Sequence, residues 1–153
     1  MAIKVSKHSD GQLSIVTPDC AGVVVQNFYE FDITGETLEV GDIIDIGVLP
    51  ANATVADAVL VCDDLDTNAS PTLTLDVGVM SGEVGTTGSR TCGEEIFSDS
   101  AVAQAGGIAR TTKVEAFRIA KTAADRSIGV KVTAAAATEA ASGKIGLILS
   151  IVQ

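Results

Sequence analysis

Aromatic side chains are scarce in this sequence, which has no Trp, one Tyr and four Phe among its 153 residues. Sugar-binding sites normally stack aromatic rings on their ligand, so the scarcity argues against a carbohydrate-binding or glycosidase site. The hydrophobic fraction is nevertheless 46%, with a mean hydropathy of +0.38. Because Val and Ile restrict χ1 and pack well on pleated surfaces, an aliphatic composition of this kind favours strands over helices.

Histidine and cysteine are equally few. His8 is the single histidine, and Cys20, Cys62 and Cys92 form no CxxC pair. A zinc site, a thioredoxin-like motif and a His-based catalytic triad therefore have no support. An odd number of cysteines without a secretory signal fits free thiols in a reducing compartment. We expect no enzymatic activity and no cofactor.

Basic residues are outnumbered two to one, with 10 Lys and Arg against 20 Asp and Glu, which gives a net charge of −10. Such a charge repels phosphate backbones and anionic lipid, so neither nucleic acid nor a membrane is expected as a partner. Long apolar runs are also missing. The longest, Ile145–Val152, is far shorter than the ~20 residues of a membrane-spanning helix but suits a buried strand.

One acidic stretch begins like a calcium-binding loop. Asp64, Asp66 and Asn68 alternate with other residues, but Ala69 and Leu75 stand where an EF-hand has Gly and Glu. An Asx turn between two strands explains the same residues. The sequence leaves open whether Asp64, Asp66 and Asn68 bind a cation.

The pattern of the remaining chain predicts short strands separated by turn-forming residues. Residues 22–33, 42–49, 55–62, 72–79, 112–120, 125–133 and 144–152 alternate or are β-branched, and shorter strands are possible at 13–16 and 38–40. Residues 94–107 predict one short helix, near 94–105, because acidic residues open it and glycines close it. The fold class expected is all-β: an antiparallel, jelly-roll-like β-sandwich of seven to eight strands. Residues 1–20 are predicted to form an extended arm, and residues 21–153 the sandwich domain.

Three segments look apolar on both faces, namely residues 22–25, 55–62 and 145–152. A two-layer sandwich normally leaves one face of each strand in water, so another part of the chain or another subunit must cover these strands. Both explanations remain open for any single strand. The residues selected as a candidate subunit or partner interface lie in the arm and in two of these strands: Ile3, Lys4, Val5, Lys7, Val55, Val59, Val61, Leu147, Leu149 and Ile151.

Several blocks resemble one family. The stretches "GDIIDIGVLPANATVADAVLVCDDLDT", "TLDVGVMSG", "SRTCGEEIF", "AQAGG" and "ADRSIGVKVT" are similar to small virion proteins of tailed bacteriophages, some of them head decoration or cement proteins. The resemblance runs from about Gly41 to the C-terminus and leaves out residues 1–20. It implies a β-sandwich that packs as a homo-oligomer, commonly a homotrimer, on the capsid exterior, and it brings no catalytic motif.

The function implied is that of a structural virion protein, assembled in the host cytoplasm, which bridges subunits of the major capsid protein. In that setting an arm carrying Lys4 and Lys7 could reach a neighbouring capsid subunit. Two alternatives stay open: a host-surface or carbohydrate-binding module displayed on the virion, and a cupin-like enzyme, which would contain a transition metal. The position on the capsid, the subunit number and the order of residues 1–20 without a partner are left undecided by the sequence.

Overall fold

A computed structural model describes residues 1–18, 20 and 22–153. Within these residues the chain forms nine strands and two 3₁₀ turns, the latter at Val102–Gln104 and Ala116–Arg118. The strands are β1 Ile3–Val5, β2 Val24–Asp32, β3 Ile43–Leu49, β4 Thr54–Cys62, β5 Thr74–Val79, β6 Phe97–Ser100, β7 Gly107–Arg110, β8 Arg126–Ala134 and β9 Lys144–Val152.

The strands build two sheets. The five-stranded sheet has the order β1-β3-β8-β5-β6, and the four-stranded sheet has the order β2-β9-β4-β7. Strands β2 to β9 pair antiparallel throughout and interleave between the two sheets as in a jelly roll, whereas β1 adds in parallel to the edge of β3. The predicted antiparallel β-sandwich of jelly-roll type is therefore confirmed, with β1 as a ninth strand.

The core lies between the sheets and is almost entirely aliphatic. Every second side chain of a strand points into this core, since successive side chains point to opposite faces of a sheet. On β2 this places Tyr29 in the interior, where its hydroxyl donates a 2.7 Å hydrogen bond to the carbonyl of Val48. Fully buried side chains contribute roughly 1.5–3 kcal/mol each. They include Ile44, Ile46, Leu60, Leu75, Val77, Ile128, Val130, Leu147 and Leu149.

The outer face of the five-stranded sheet is covered by the chain itself. The connection between β5 and β6 folds back over β3 and β8. A Cβ added to Gly129 of β8 would lie 2.7 Å from Met80 and 2.9 Å from the sulfur of Cys92. All seven residues of β3 are buried as a result. This glycine-rich connection, residues 80–96, therefore covers one sheet and is called the lid below.

A buried ion pair holds this lid in place. Asp45 of β3 is fully buried, and its Oδ2 accepts a hydrogen bond from Nη1 of Arg90 at 2.5 Å and another from the hydroxyl of Ser127 at 2.8 Å. The same oxygen accepts from the backbone N–H of Gly85 at 3.2 Å. Arg90 also donates to the carbonyls of Ser81 and Thr86 within the lid. The charges are therefore paired and hydrogen-bonded where water is excluded.

The helix predicted near residues 94–105 is wrong. The segment contains strand β6, which pairs with β5 through Val77 and Phe97, followed by the 3₁₀ turn Val102–Gln104. Ile96 and Phe97 enter the core, and Ile96 donates its backbone N–H to the carbonyl of Val77. The turn has no side-chain cap. Pairing with an existing sheet edge satisfies the backbone and buries both side chains, which outweighs the weak local preference for a helix.

Other differences concern short or irregular pieces. The predicted strand 112–120 is a loop with the 3₁₀ turn Ala116–Arg118, and residues 13–16 and 38–40 are not strands. Strands β1, β6 and β7 were not predicted. Each has only three or four residues, too few for alternation to stand out, and each lies at the edge of a sheet. Long-range pairing, not local pattern, determines where such strands form.

The close approach of β2 and β3 yields a first prediction. A Cβ at Gly47 would lie 2.4 Å from Cδ2 of Tyr29, and the tyrosine is held by its hydrogen bond to Val48. We expect Gly47→Ala to reduce the free energy of unfolding by about 1–3 kcal/mol, measured by urea denaturation. Gly88→Ala is the matched control because no atom lies within 4 Å of the added methyl, so it should change little. Equal stability of the two variants would contradict the packing described for this site.

Candidate interaction surfaces

The ten candidate interface residues divide between the interior and the surface. Four of them point into the core and are at most 2% exposed, namely Val55, Leu147, Leu149 and Ile151. Side chains so deeply buried have no surface to offer a partner in this conformation. Val59 and Val61 alternate with buried Leu60 and therefore lie on the outside of the four-stranded sheet, half-buried.

The outside of the four-stranded sheet carries a contiguous apolar patch. Strand register sets Phe28, Ile148 and Val59 side by side in one row, and Val61 with Ile108 in the next. Phe28 is 51% exposed and Ile108 is 72% exposed. These five residues are called the outer face below. Among the described residues no loop covers them as the lid covers the opposite sheet.

A glycine keeps this outer face flat. A Cβ at Gly146 would lie 2.8 Å from Cε2 of Phe28, so the phenyl ring lies across β9 at that position. Without the glycine, the ring would have to stand away from the sheet. The arrangement leaves one side of the phenyl ring against the protein and the other open to a partner.

Two ion pairs flank the outer face. On the β2 side, Nζ of Lys144 lies 2.7 Å from Oε1 of Glu30. On the β7 side, Nε of Arg110 lies 2.9 Å from Oδ1 of Asp57. Hydrogen bonding to its carboxylate partner raises the pKa of each base, Lys144 beside Glu30 and Arg110 beside Asp57. The patch is thus apolar in its centre and charge-balanced at both sides.

Of the outer-face residues, the sequence identified Val59 and Val61 as candidate interface residues but missed Phe28, Ile108 and Ile148. The alternation along β2 could have identified Phe28, because it assigns this residue to the side opposite Tyr29. No sequence pattern pointed to Ile108, because β7 was not predicted.

The candidate residues near the N-terminus lie against the sandwich. Ile3, Lys4 and Val5 form β1 and are half-buried, and Lys7 is exposed in the turn that follows. Lys4 forms an ion pair with Glu36 at 2.5 Å. Ser6 is buried and donates its hydroxyl to the carbonyl of Ile46 at 2.6 Å. Residues 3–6 are therefore tied to the edge of the five-stranded sheet, which leaves Lys7 as the exposed cation of this segment.

His8 follows this segment, and its ring packs edge-on against Tyr29 with the ring centroids 5.0 Å apart. Desolvation lowers the pKa of His8. The contact described for this ring is therefore aromatic packing. Among residues 1–18, 20 and 22–153, no three His, Cys, Asp or Glu side chains cluster so as to hold a metal ion.

A cleft of about 430 Å³ separates the loop around Ala116–Arg118 from the ends of β5 and β8. Its charged lining consists of two acids, Glu95 and Glu115, and two bases, Arg118 and Arg126. Glu95 accepts a hydrogen bond from the backbone N–H of Val79 at 3.1 Å. The lining holds no His, Cys or Ser, so it offers no nucleophile–base pair of the hydrolase type.

The three cysteines are free thiols. Cys62 and Cys92 lie in or near the core, and burial raises the pKa of each to about 12. They are therefore protonated and unreactive at neutral pH. Cys20 is exposed. In the part of the chain that is described, no helix has the length and apolar character needed to cross a membrane.

The acidic stretch that resembles a calcium loop connects two segments of the chain through Asp66. The carboxylate of Asp66 is 1% exposed and accepts backbone hydrogen bonds from two separate segments of the chain. Oδ2 is bonded by the N–H groups of Thr72 at 2.7 Å and Ala137 at 2.9 Å, and Oδ1 by that of Thr138 at 2.9 Å. Asp66 therefore joins the β4–β5 connection to the β8–β9 connection. A cation would have to compete with these donors for the same oxygens.

These donors also set the charge state of Asp66. Burial by itself would raise the pKa of this carboxyl, but hydrogen bonds from Thr138, Thr72, Ala137 and Leu73 hold the pKa well below its usual value of 3.8. Asp66 is consequently ionised in the folded protein even in mild acid.

Comparison with known proteins gave matches among solved structures. No protein-family model and no curated protein matches the chain. A chain from the capsid of Ralstonia phage GP4 is 48% identical, with a TM-score of 0.91 over 99% of this chain and 98% of that one. A chain from the capsid asymmetric unit of cyanophage Pam1 is 30% identical, with a TM-score of 0.69 over 93% and 94% of the two chains.

A third match lies in the acid-stable capsid structure of Helicobacter pylori bacteriophage KHP30. It is 14% identical, with a TM-score of 0.55 over 87% of this chain and 90% of that one. At this identity the likeness concerns the fold alone.

The backbone hydrogen bonds to the Asp66 carboxylate yield a second prediction. Asp66→Asn should lower Tm by roughly 5–10 °C at pH 7, because charge-assisted bonds to two connections are lost together. Glu115→Gln, which removes an exposed charge, is the control. The contribution of Asp66 is complete above its unfolded pKa near 3.8 and is lost as pH falls through the lower folded pKa. The Tm gap between wild type and Asp66→Asn should therefore narrow below about pH 4. A gap that widens in acid would contradict this account.

Proposed function

Because this chain belongs to the family of phage capsid proteins found in the capsids of Ralstonia phage GP4 and cyanophage Pam1, we propose that it decorates and cements the capsid exterior. It is a structural capsid-related protein of a phage virion. In the finer role proposed, the chain bridges neighbouring subunits of the major capsid protein from outside, as a homo-oligomer for which a trimer is favoured. Assembly takes place in the host cytoplasm.

The observation that carries this proposal is the unequal covering of the two sheets. The chain closes the five-stranded sheet with its own lid and leaves the outer face of the four-stranded sheet open, with Phe28 and Ile108 more than half exposed. An exposed apolar patch on a soluble protein marks a contact with another macromolecule. A protein that offers an open contact surface, and whose described residues form no catalytic constellation, suits a role in bridging.

The charge supports an exterior position. With a net charge of −10 the protein does not compete for the packaged nucleic acid. A protein that binds only the assembled lattice adds its binding free energy to the stability of the shell by linkage. Many weak contacts, repeated over the lattice, are sufficient for this effect.

The proposal is tested on capsids of the same phage that lack this chain. Adding the purified protein should raise the temperature at which the capsids release their contents, in proportion to occupancy until the sites are filled. Dye access to the packaged DNA during heating gives the release temperature. Unchanged release temperature at full occupancy would refute cementing, and failure to sediment with the capsids would refute decoration.

Lys7 provides a finer test of the region near the N-terminus. It is exposed, whereas Lys4 is paired with Glu36 of the same chain. If this region contacts an acidic surface of a capsid subunit, Lys7→Glu should weaken capsid binding several-fold at low salt, and added salt should shrink the difference. Lys121→Glu makes the same charge change at another exposed lysine and should bind like wild type. Equal binding by both variants would exclude this contact.

No observation favours the alternative of a host-surface or carbohydrate-binding module. Of the five aromatic side chains, Tyr29 and Phe97 are buried and Phe31 is half-buried. The two exposed rings belong to different elements and form no aromatic pair among the described residues: Phe28 lies on strand β2 and Phe117 on the 3₁₀ turn Ala116–Arg118. A stacking platform for sugars would need such rings together.

A further inference from the structure

We propose that the cleft beside the β7–β8 connection, residues 111–125, binds an acidic side chain of the major capsid protein. Arg118 and Arg126 are the residues that pair with its carboxylate. This inference rests on the proposed function and deepens it, because it names one contact through which the chain holds a capsid subunit.

The two arginines of the cleft lack a counter-ion in this chain. The sequence has four arginines, of which Arg90 and Arg110 each form an ion pair with an aspartate. Arg118 and Arg126 both line the cleft, and no carboxylate among the described residues lies within 4 Å of either. The chain has twice as many acids as bases, so two unpaired arginines on one cleft point to a carboxylate from another molecule.

Arg126 is partly withdrawn from water without being paired. Its Nε is buried and has no hydrogen-bond partner among the described residues. Its Nη2 donates to the carbonyl of Ala53 at 3.4 Å, which is long for such a bond. Desolvation lowers the pKa of Arg126. A guanidinium that has lost hydration without gaining a counter-ion is stabilised when a carboxylate is brought beside it.

The two acids of the cleft do not supply that carboxylate. Oε2 of Glu95 accepts the backbone N–H of Val79 at 3.1 Å, and a Cβ added to Gly93 would lie 2.6 Å from Cδ of Glu95. The carboxylate of Glu95 is therefore held against the backbone of β5 and the lid. Glu115 is exposed and forms no ion pair with any base that the structure describes. Its charge opposes a second carboxylate, which gives a test of the occupant's sign.

The wall of the cleft that carries Arg118 is fixed to the sandwich. The hydroxyl of Thr54 donates to the carbonyl of Ile119 at 2.7 Å, and the backbone N–H of Ala51 donates to Oδ1 of Asp125 at 2.8 Å. Ile119 is only 8% exposed, so the exposed Arg118 beside it stands on an anchored backbone. Binding to a preformed site avoids the entropic cost of ordering a loop.

The remaining lining describes the rest of the occupant. Val79, Val114 and Ile119 make part of the cleft apolar, and its volume of about 430 Å³ lies within the roughly 300–1,000 Å³ of ligand pockets. An acidic side chain with an aliphatic neighbour matches this mixture. A second copy of this chain also carries carboxylates, but two copies with a net charge of −10 each repel one another. A subunit of the major capsid protein is therefore the source we assign.

The experiment measures co-sedimentation of purified variants with capsids of the same phage that lack this chain. Arg118→Glu should weaken binding about tenfold or more at low salt, because it places like charges together. Lys121→Glu is the matched control, since Lys121 is exposed in the same connection but does not line the cleft. It should bind like wild type. Binding of Arg118→Glu that equals wild type, or an equal loss in both variants, overturns the inference.

Glu115→Gln tests the sign of the occupant's charge. Removing this acid from the lining should strengthen capsid binding several-fold if the occupant is a carboxylate, because a like-charge repulsion is relieved. A weaker binding would show a basic occupant and overturn the inference.

Arg126→Met separates binding from packing, because methionine keeps an apolar stem and removes the charge. The variant should bind capsids more weakly, while its own Tm should equal or exceed that of wild type, since a desolvated and unpaired charge is gone. Unchanged binding together with a lower Tm would assign Arg126 a purely structural role and contradict the proposed pairing.

Cross-linking identifies the source of the carboxylate. In Arg118→Lys bound to capsids, a carbodiimide activates nearby carboxylates, and the introduced amine displaces the activating group to form an amide. Mass spectrometry should find position 118 joined to an Asp or Glu of the major capsid protein, at a higher yield than the native Lys121. Joining to a second copy of this chain, or no excess over Lys121, overturns the assignment.

The capsid assay also distinguishes this inference from the proposed function. If wild type and Arg118→Glu stabilise capsids equally, the inference is overturned and the cementing role is left intact. If wild type does not bind capsids at all, decoration is overturned and the inference falls with it.

Discussion

The buried contact between Asp45 and Arg90 is the constraint on which the rest of the surface depends. Both side chains are at most 2% exposed, and Oδ2 of Asp45 also accepts hydrogen bonds from the hydroxyl of Ser127 and the N–H of Gly85. Losing one partner of such a pair leaves an uncompensated charge in a dry site, which costs about 3–5 kcal/mol. The pair therefore fixes one position for a glycine-rich segment that has little structure of its own. Through it, β3 is buried on both faces without help from another subunit.

Closing one sheet leaves the two faces of the sandwich with different roles. The lid gives the five-stranded sheet a second buried layer, whereas the four-stranded sheet keeps Phe28 and Ile108 in solvent. Both properties suit the proposed bridging role, in which a rigid body would hold its contact surface in place and an open apolar face would supply the contact. Gly146 contributes to this open face, because it lets the phenyl ring of Phe28 lie flat on the sheet.

Asp66 shows how a motif of ligand type can serve packing. Its spacing from Asp64 and Asn68 imitates a cation-binding loop, yet its oxygens accept backbone N–H groups from the connections that precede β5 and β9. A carboxylate that bridges two connections orders them as a bound ion would, without requiring one. The sequence could not distinguish these uses, because Ala137 and Thr138 are 71 and 72 residues away along the chain.

The sequence by itself determined the aliphatic core, the long strands and the sandwich class, because alternation with period two is a local property that each strand carries. It also placed Phe28 opposite Tyr29 on β2. Only the tertiary structure decided which apolar faces are covered and which candidates are interior. It also decided that β6 pairs with β5 in place of a helix at 94–105 and that β7 pairs with β4. Val55 and Leu147 were indistinguishable in pattern from Val59 and Val61. Covering a face depends on segments distant in the chain, such as the lid held by Arg90, and no local period records them.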